Sequence, residues 1–180
     1  MGQPGTYHSY GSGWANACNT PYRLYKHYNQ EGGISTPFIV HWPAQVSRKG
    51  AFEHQPLHLI DLMPTCAELA QASYPAEYGG GRIQPMEGRS LSPAFAGKPI
   101  RRDALFWEHE GNRAIRSGKW KLVAVGPDGP WELYDMDRDP TEMHDLAASQ
   151  PERVRSMTAQ WEAWARRSDV LPWPWGSPAK

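Results

Sequence analysis

The chain has no surplus of charge, no long apolar run and almost no cysteine. Nineteen basic and nineteen acidic side chains cancel within 180 residues, so no net field draws the protein to nucleic acid or to an anionic membrane surface. Any anion must be held locally. No apolar stretch reaches the length of a membrane span, and residues 1–20 lack the basic start and apolar middle of a secretory signal. The opening MGQPGT fits the loose myristoylation pattern, but so short a pattern recurs by chance and is not adopted as an anchor. The two cysteines, Cys18 and Cys66, cannot make a disulfide scaffold, and a single bridge between them is left open.

What is abundant is glycine, proline and aromatic surface. Seventeen Gly and seventeen Pro with nine Trp and eight Tyr describe a loop-rich globular protein rather than a disordered chain. Residues 1–23 show neither helical nor strand period and read as an irregular surface segment. PFIVHW, residues 37–42, reads as a short buried strand whose partners lie far along the chain or outside it. In PLHLIDLMPTCAELAQA, residues 56–72, the apolar positions Leu59, Leu62, Met63, Cys66, Leu69 and Ala70 recur at spacings of three and four. That makes a helix with one face for packing on a sheet, Asp61 as its cap and Cys66 in the core. Residues 73–102 read as a linker or wandering loop.

The character changes at residue 104. Four short β-prone runs, separated by EGN, SG and GPDGP, predict an antiparallel meander over 104–135 with one face able to be buried. Ser149 with Glu152 makes a capping-box pattern, Pro151 suits a first helical turn, and Val154, Met157, Trp161 and Trp164 form the stripe that would cover the meander. The prolines of residues 169–180 stop that helix, and the tryptophans among them are expected to pin the tail to the surface. Two domains follow, 1–102 and 103–180.

Candidate chemistry is sparse. In RLYKHYNQEGGISTPFIVHWP, Lys26 stands five residues ahead of a Glu-Gly-Gly corner. An ammonium suits a tetrahedral oxyanion, and Gly32 and Gly33 remove the Cβ atoms that would hold backbone or ligand away. Spacing alone also fits a solvated lysine beside a turn. His109, between two glutamates at the expected tip of a hairpin, is the second candidate, against a polar tip in water. Cys18 has only Arg23 nearby to lower its thiol pKa and reads as an inert thiol. Asp135, Asp137 and Asp139 open like a calcium loop, but Pro140 replaces the required glycine and Leu146 the bidentate glutamate, so that loop is rejected. No histidine spacing supplies a metal site, and the tryptophans at core spacing argue against a sugar-stacking platform.

Four ordered blocks, GWANACNTPYRLYKHYNQEGGISTPFIVHWP, IDLMPTCAEL, NRAIRSGKWKLV and WELYDMDRDPTEMHDLA, resemble the C-terminal portion of a sulfatase of the arylsulfatase type. The resemblance implies an α/β fold. It would be the C-terminal part of an alkaline-phosphatase-like sulfatase, with a small four-stranded antiparallel sheet packed on a C-terminal helix. Residues 1–102 would then be a remnant of the large domain. It further implies hydrolysis of sulfate monoesters, with Lys26 contacting the sulfate and a sulfated small molecule or carbohydrate as substrate.

The family's cofactors are calcium and a formylglycine made in a CxPxR-like motif, and the resemblance implies a periplasmic or secreted setting while residues 1–20 show no signal pattern. CNTPYR is one residue too long for that motif and lies in the wrong place, so Cys18 is refused the nucleophile's role. The metal-binding acids are missing too. The resemblance thus implies a chain that carries no cofactor, is silent alone and is completed by an N-terminal half. A non-catalytic anion- or carbohydrate-binding module and a purely structural subdomain stay open as alternatives.

Overall fold

The computed structural model describes residues 4–5, 11–46 and 48–172. MGQPGT and the tail tryptophans, Trp173 and Trp175, fall largely or wholly outside them. In chain order the elements are α1 (Gly11–Asn19), α2 (Glu31–Ile34), α3 (Leu62–Leu69), β1 (Glu77–Tyr78), β2 (Gly81–Arg82), α4 (Ser92–Phe95), β3 (Leu105–His109), β4 (Asn112–Ser117), β5 (Trp120–Ala124), β6 (Glu132–Asp135) and α5 (Pro151–Arg167). Two compact units share the chain, one of Met1–Pro37 with Asp103–Lys180 and the other of Phe38–Arg102. The chain passes from one unit to the other at 102/103, and residues before 38 group with the sheet. Among the described residues, no helix is long and apolar enough to cross a membrane.

In the first unit the expected meander is present, in the order β3-β4-β5-β6 and antiparallel throughout. Glu110 and Gly111 close β3 onto β4 with φ of 51° and 86°, the paired left-handed conformation whose twist matches a hairpin. Register then lines up Ile115, Leu122 and Leu133 as cross-strand neighbours. They pack with Met157, Trp161 and Ala165 of α5 in one fully buried cluster, flanked by Val154 and Trp164. Each of the leucine, isoleucine and methionine side chains contributes roughly 1.5–3 kcal/mol by leaving water. The predicted helical stripe therefore covers the face it was expected to cover. Ser149 does not cap α5: it lies in a short 3-10 turn, and Gln150 precedes Pro151 without a side-chain capping bond.

The opposite face of the sheet is buried as well, which alternation alone did not suggest. Ala114, Val123, Tyr134 and Met136 form a second cluster there, and Lys121 on the same face is completely enclosed. The segment before residue 38 supplies the cover. That segment is not irregular throughout, since Gly11–Asn19 is helical.

The Phe38–Arg102 unit is organised around one carboxylate. Asp61 is fully buried and accepts the backbone N–H groups of His58 and Arg89, both at 2.9 Å, and Arg102 Nη2 at 2.7 Å. It therefore ties the start of α3 to residues 89–102 instead of capping the helix with its side chain. Residues 73–102 are consequently more than a linker: they hold the β1–β2 hairpin, α4 and the buried Leu91. PFIVHW forms no strand, because no described strand forms a ladder with it, and Phe38, Ile39 and Val40 are exposed. The α3 face is open too, with Leu59, Met63 and Leu69 exposed. Cys66, expected in the core, is exposed, and so is Cys18; both are free thiols.

Candidate functional site

The lysine-bearing loop, residues 23–30, is fastened to the sheet at three points. Arg23 Nη1 donates to Tyr134 Oη and to the Glu142 carbonyl, both at 2.7 Å, and to Glu132 Oε2 at 3.3 Å. Burial, reinforced by the Tyr134 hydroxyl donating to Glu132, pushes the Tyr134 phenol far above its usual pKa. Asn29 donates to the Asn112 carbonyl at 2.8 Å. The Asn112 side chain returns two bonds of 3.0 Å, to the carbonyls of His27 and His109.

The third fastening explains the glutamate of the Glu-Gly-Gly corner. Lys121 Nζ lies 2.7 Å from Glu31 Oε1 and 2.8 Å from Glu142 Oε1. Glu142 Oε2 also accepts the Glu31 N–H at 2.8 Å. Glu142 adopts φ of 58°, a left-handed conformation that costs a non-glycine residue roughly 1–2 kcal/mol. Its surroundings hold it there by using its carbonyl and its carboxylate together. Burial pushes the Glu142 carboxyl above the usual range, opposed by the Lys121 ammonium.

The glycines act through close approach. A Cβ on Gly32 would overlap the carbonyl oxygens of Leu24 and Arg23, and one on Gly33 that of Tyr28. The turn thus packs directly onto the backbone of the lysine loop, as the sequence suggested.

Lys26 stands at the crest of this loop. It is exposed and makes no hydrogen bond or ion pair with the described residues, whereas Arg23, Lys119 and Lys121 are all committed to carboxylates. Beside it the fold gathers residues that spacing could not connect. His109, exposed at the end of β3, has its ring centre 5.6 Å from that of His27, and His27 Nδ1 lies 2.5 Å from Glu110 Oε2. Neither principal cavity includes Lys26 or His109. One of about 210 Å³ is lined by Glu108, Gly111, Arg113, Trp161 and Leu171, and the other by Trp120, Arg153 and Met157.

The described residues do not fit the cofactors that the resemblance implies. Cys18 is an exposed thiol on the last turn of α1, and proline stands third after it. The most buried carboxylates are committed elsewhere. Asp135 binds Lys119 at 2.6 Å, Asp139 accepts the backbone N–H groups of Met143 and His144 at 2.8 Å, and Asp61, Glu31 and Glu142 enclose cations. No oxygen-rich set of the kind calcium takes is left open among the described residues.

The sheet, its helix and the order of the motifs define a class. A crystal structure of Ps i-CgsB in complex with k-i-k-neocarrahexaose superimposes with a TM-score of 0.62 at 29% identity, covering 89% of this chain and 34% of that one. An uncharacterised sulfatase of Schizosaccharomyces pombe is 32% identical over 180 residues, 94% of this chain and 32% of that protein. Human steryl-sulfatase is 29% identical over 189 residues, 86% and 31%. The fold is α/β, the C-terminal part of an alkaline-phosphatase-like sulfatase fold. Residues 22–163 match the family model described as N-sulphoglucosamine sulphohydrolase, C-terminal, and the chain belongs to that family. It spans about a third of the length of the curated relatives it matches.

Proposed function

We propose that the chain is the C-terminal part of a sulfuric ester hydrolase of arylsulfatase type, in which Lys26 anchors the sulfate and His109 contacts the substrate. The observation that supports this is the uncommitted ammonium of Lys26, held out from a loop whose neighbouring cations are all neutralised. An unpaired cation on a rigid backbone meets developing negative charge at little reorganisation cost. The human relative named steryl-sulfatase and the solved relative holding k-i-k-neocarrahexaose bracket the substrate class, a sulfated small molecule or carbohydrate.

An N-terminal half supplies what these 180 residues do not: the nucleophile, the calcium ligands and the walls of the pocket around Lys26. The exposed Phe38, Ile39, Leu59 and Met63 favour such a partner, because they offer the apolar surface against which a sheet packs. Residues 38–102 accordingly belong to the large domain that this partner completes, and 103–180, with the residues before 38 that group with them, form the sheet-and-helix subdomain. A second reading, a purely structural complement without a role for Lys26, rests on the same apolar surface.

Assayed together with the coding sequence upstream of Met1, or with a separately encoded N-terminal half, Lys26→Ala is expected to lower kcat/KM for an aryl sulfate by about 10²–10³-fold. Its melting temperature should match the wild type, because the side chain bonds to none of the described residues. A variant within twofold of wild-type kcat/KM would leave only the structural reading. The 180-residue chain alone is expected to release no sulfate.

A further inference from the structure

We infer that His27, His109 and Glu110 form a binding site for a divalent transition metal of the zinc class. Each residue offers one ligand atom, and these atoms all lie within 4.8 Å of one another. The two imidazole rings are inclined at 75° with centres 5.6 Å apart, and Glu110 already touches His27 through its carboxylate. Two imidazole nitrogens and one carboxylate oxygen are a set zinc takes with a fourth position open, at bonds of about 2.0–2.2 Å. Calcium and magnesium prefer oxygen shells and fit this trio poorly.

Ligand atoms around a tetrahedral ion stand roughly 3.3–3.6 Å apart at those bond lengths, so the 2.5 Å His27–Glu110 contact must open while any wider separation, up to 4.8 Å, closes. The side chains can do so, since His109 and Glu110 are exposed and His27 is half-buried. Their backbones are held in place. Asn112, itself buried, grips the carbonyls of His27 and His109 with one amide group, an arrangement that orients ligands from behind. His27 has a positive φ of 97°, the kind of backbone strain that persists where surroundings enforce it and that gathers at ligand clamps. A bare His27–Glu110 ion pair would account for one contact, would stabilise an exposed surface by about 1 kcal/mol at most, and would not require the His109 ring beside it.

The inference does not rest on sulfatase activity, and its test reads metal binding directly. In calorimetry the full chain is expected to bind one equivalent of Zn²⁺. His27→Ala and His109→Ala should each weaken that binding at least about tenfold. His144→Ala is the control, because His144 is exposed and faces only Asp139. Co²⁺ in place of zinc should give the intense visible bands of a four-coordinate ion, lost in His109→Ala. Circular dichroism of His109→Ala guards against misfolding, and its exposed position makes a native spectrum the expected result. Absence of zinc binding, equal binding by wild type and His109→Ala, or only weak uptake spread over several histidines would overturn the inference.

Discussion

Lys121→Ala is expected to destabilise the protein by about 3–5 kcal/mol, because removing one member of a buried ionic cluster strands the others without compensation. The ammonium is completely enclosed between Glu31 and Glu142, and the Glu142 side chain is enclosed with it. In the variant that carboxylate stays buried and loses its counter-charge. A chemical denaturation curve reads the effect as a lower midpoint. A loss below about 1 kcal/mol would mean that the cluster behaves like an exposed pair.

The pH dependence of that loss has a definite sign. Burial already holds the Glu142 carboxyl above its usual range in the wild type, and removing Lys121 raises it further. A carboxyl whose folded pKa exceeds its unfolded value adds stability below the unfolded pKa and loses that contribution as pH rises through the folded one. The Lys121→Ala deficit should therefore narrow as the solution is acidified from neutrality and widen again on return. Adding Glu142→Gln to Lys121→Ala removes the stranded charge and should recover part of the loss at neutral pH. Coupling between the two substitutions, measured as a double-mutant cycle, is the quantity to report.

This cluster also shows where reading the sequence stops. The meander and α5 were legible because both announce themselves through local period: Trp120, Leu122 and Ala124 alternate along β5, and Met157 and Trp161 recur at helical spacing. The second face of the sheet was illegible for the same reason. A lysine at an alternate strand position looks like a solvent-facing residue, and only the fold reveals Glu31 and Glu142 waiting for it from two other segments. PFIVHW failed in the opposite direction. Its apolar, β-prone composition is real, but a strand exists only where another backbone accepts its hydrogen bonds. Cys66 and Met63 share that fate, at correct helical spacing on a face the described residues leave open.

The candidate site divides in the same way. Lys26 could be picked out because motif and resemblance both point at a single position. His27 carried no signal, since its significance lies in meeting His109 and Glu110 across the fold. Glu31 looked like part of a glycine corner and proved to be the pin that holds that corner to the sheet.

Gly33→Ala should be the second severe substitution, and its mechanism is distinct from loss of charge. Gly33 has no positive φ, so an added methyl meets no conformational penalty of its own. It would instead overlap the Tyr28 carbonyl oxygen and come within 2.7 Å of that of Tyr25. Both obstacles are backbone atoms, and the turn cannot back away: the Gly33 N–H is bonded to the Gln30 carbonyl at 2.8 Å and the Gly32 N–H to that of Arg23 at 2.9 Å. Inserting volume where neighbours cannot yield costs about 1–3 kcal/mol and sometimes more, and the upper end is expected here. Gly13→Ala supplies the contrast. It lies within α1, with nothing within 4 Å of the added atom, and should stabilise by about 0.5–1 kcal/mol through helix propensity alone. Thermal melts of the two variants should thus move in opposite directions. If Gly33→Ala melted like the wild type, the lysine loop would not be packed on the glycine turn, and the rigid presentation of Lys26 would lose its structural basis.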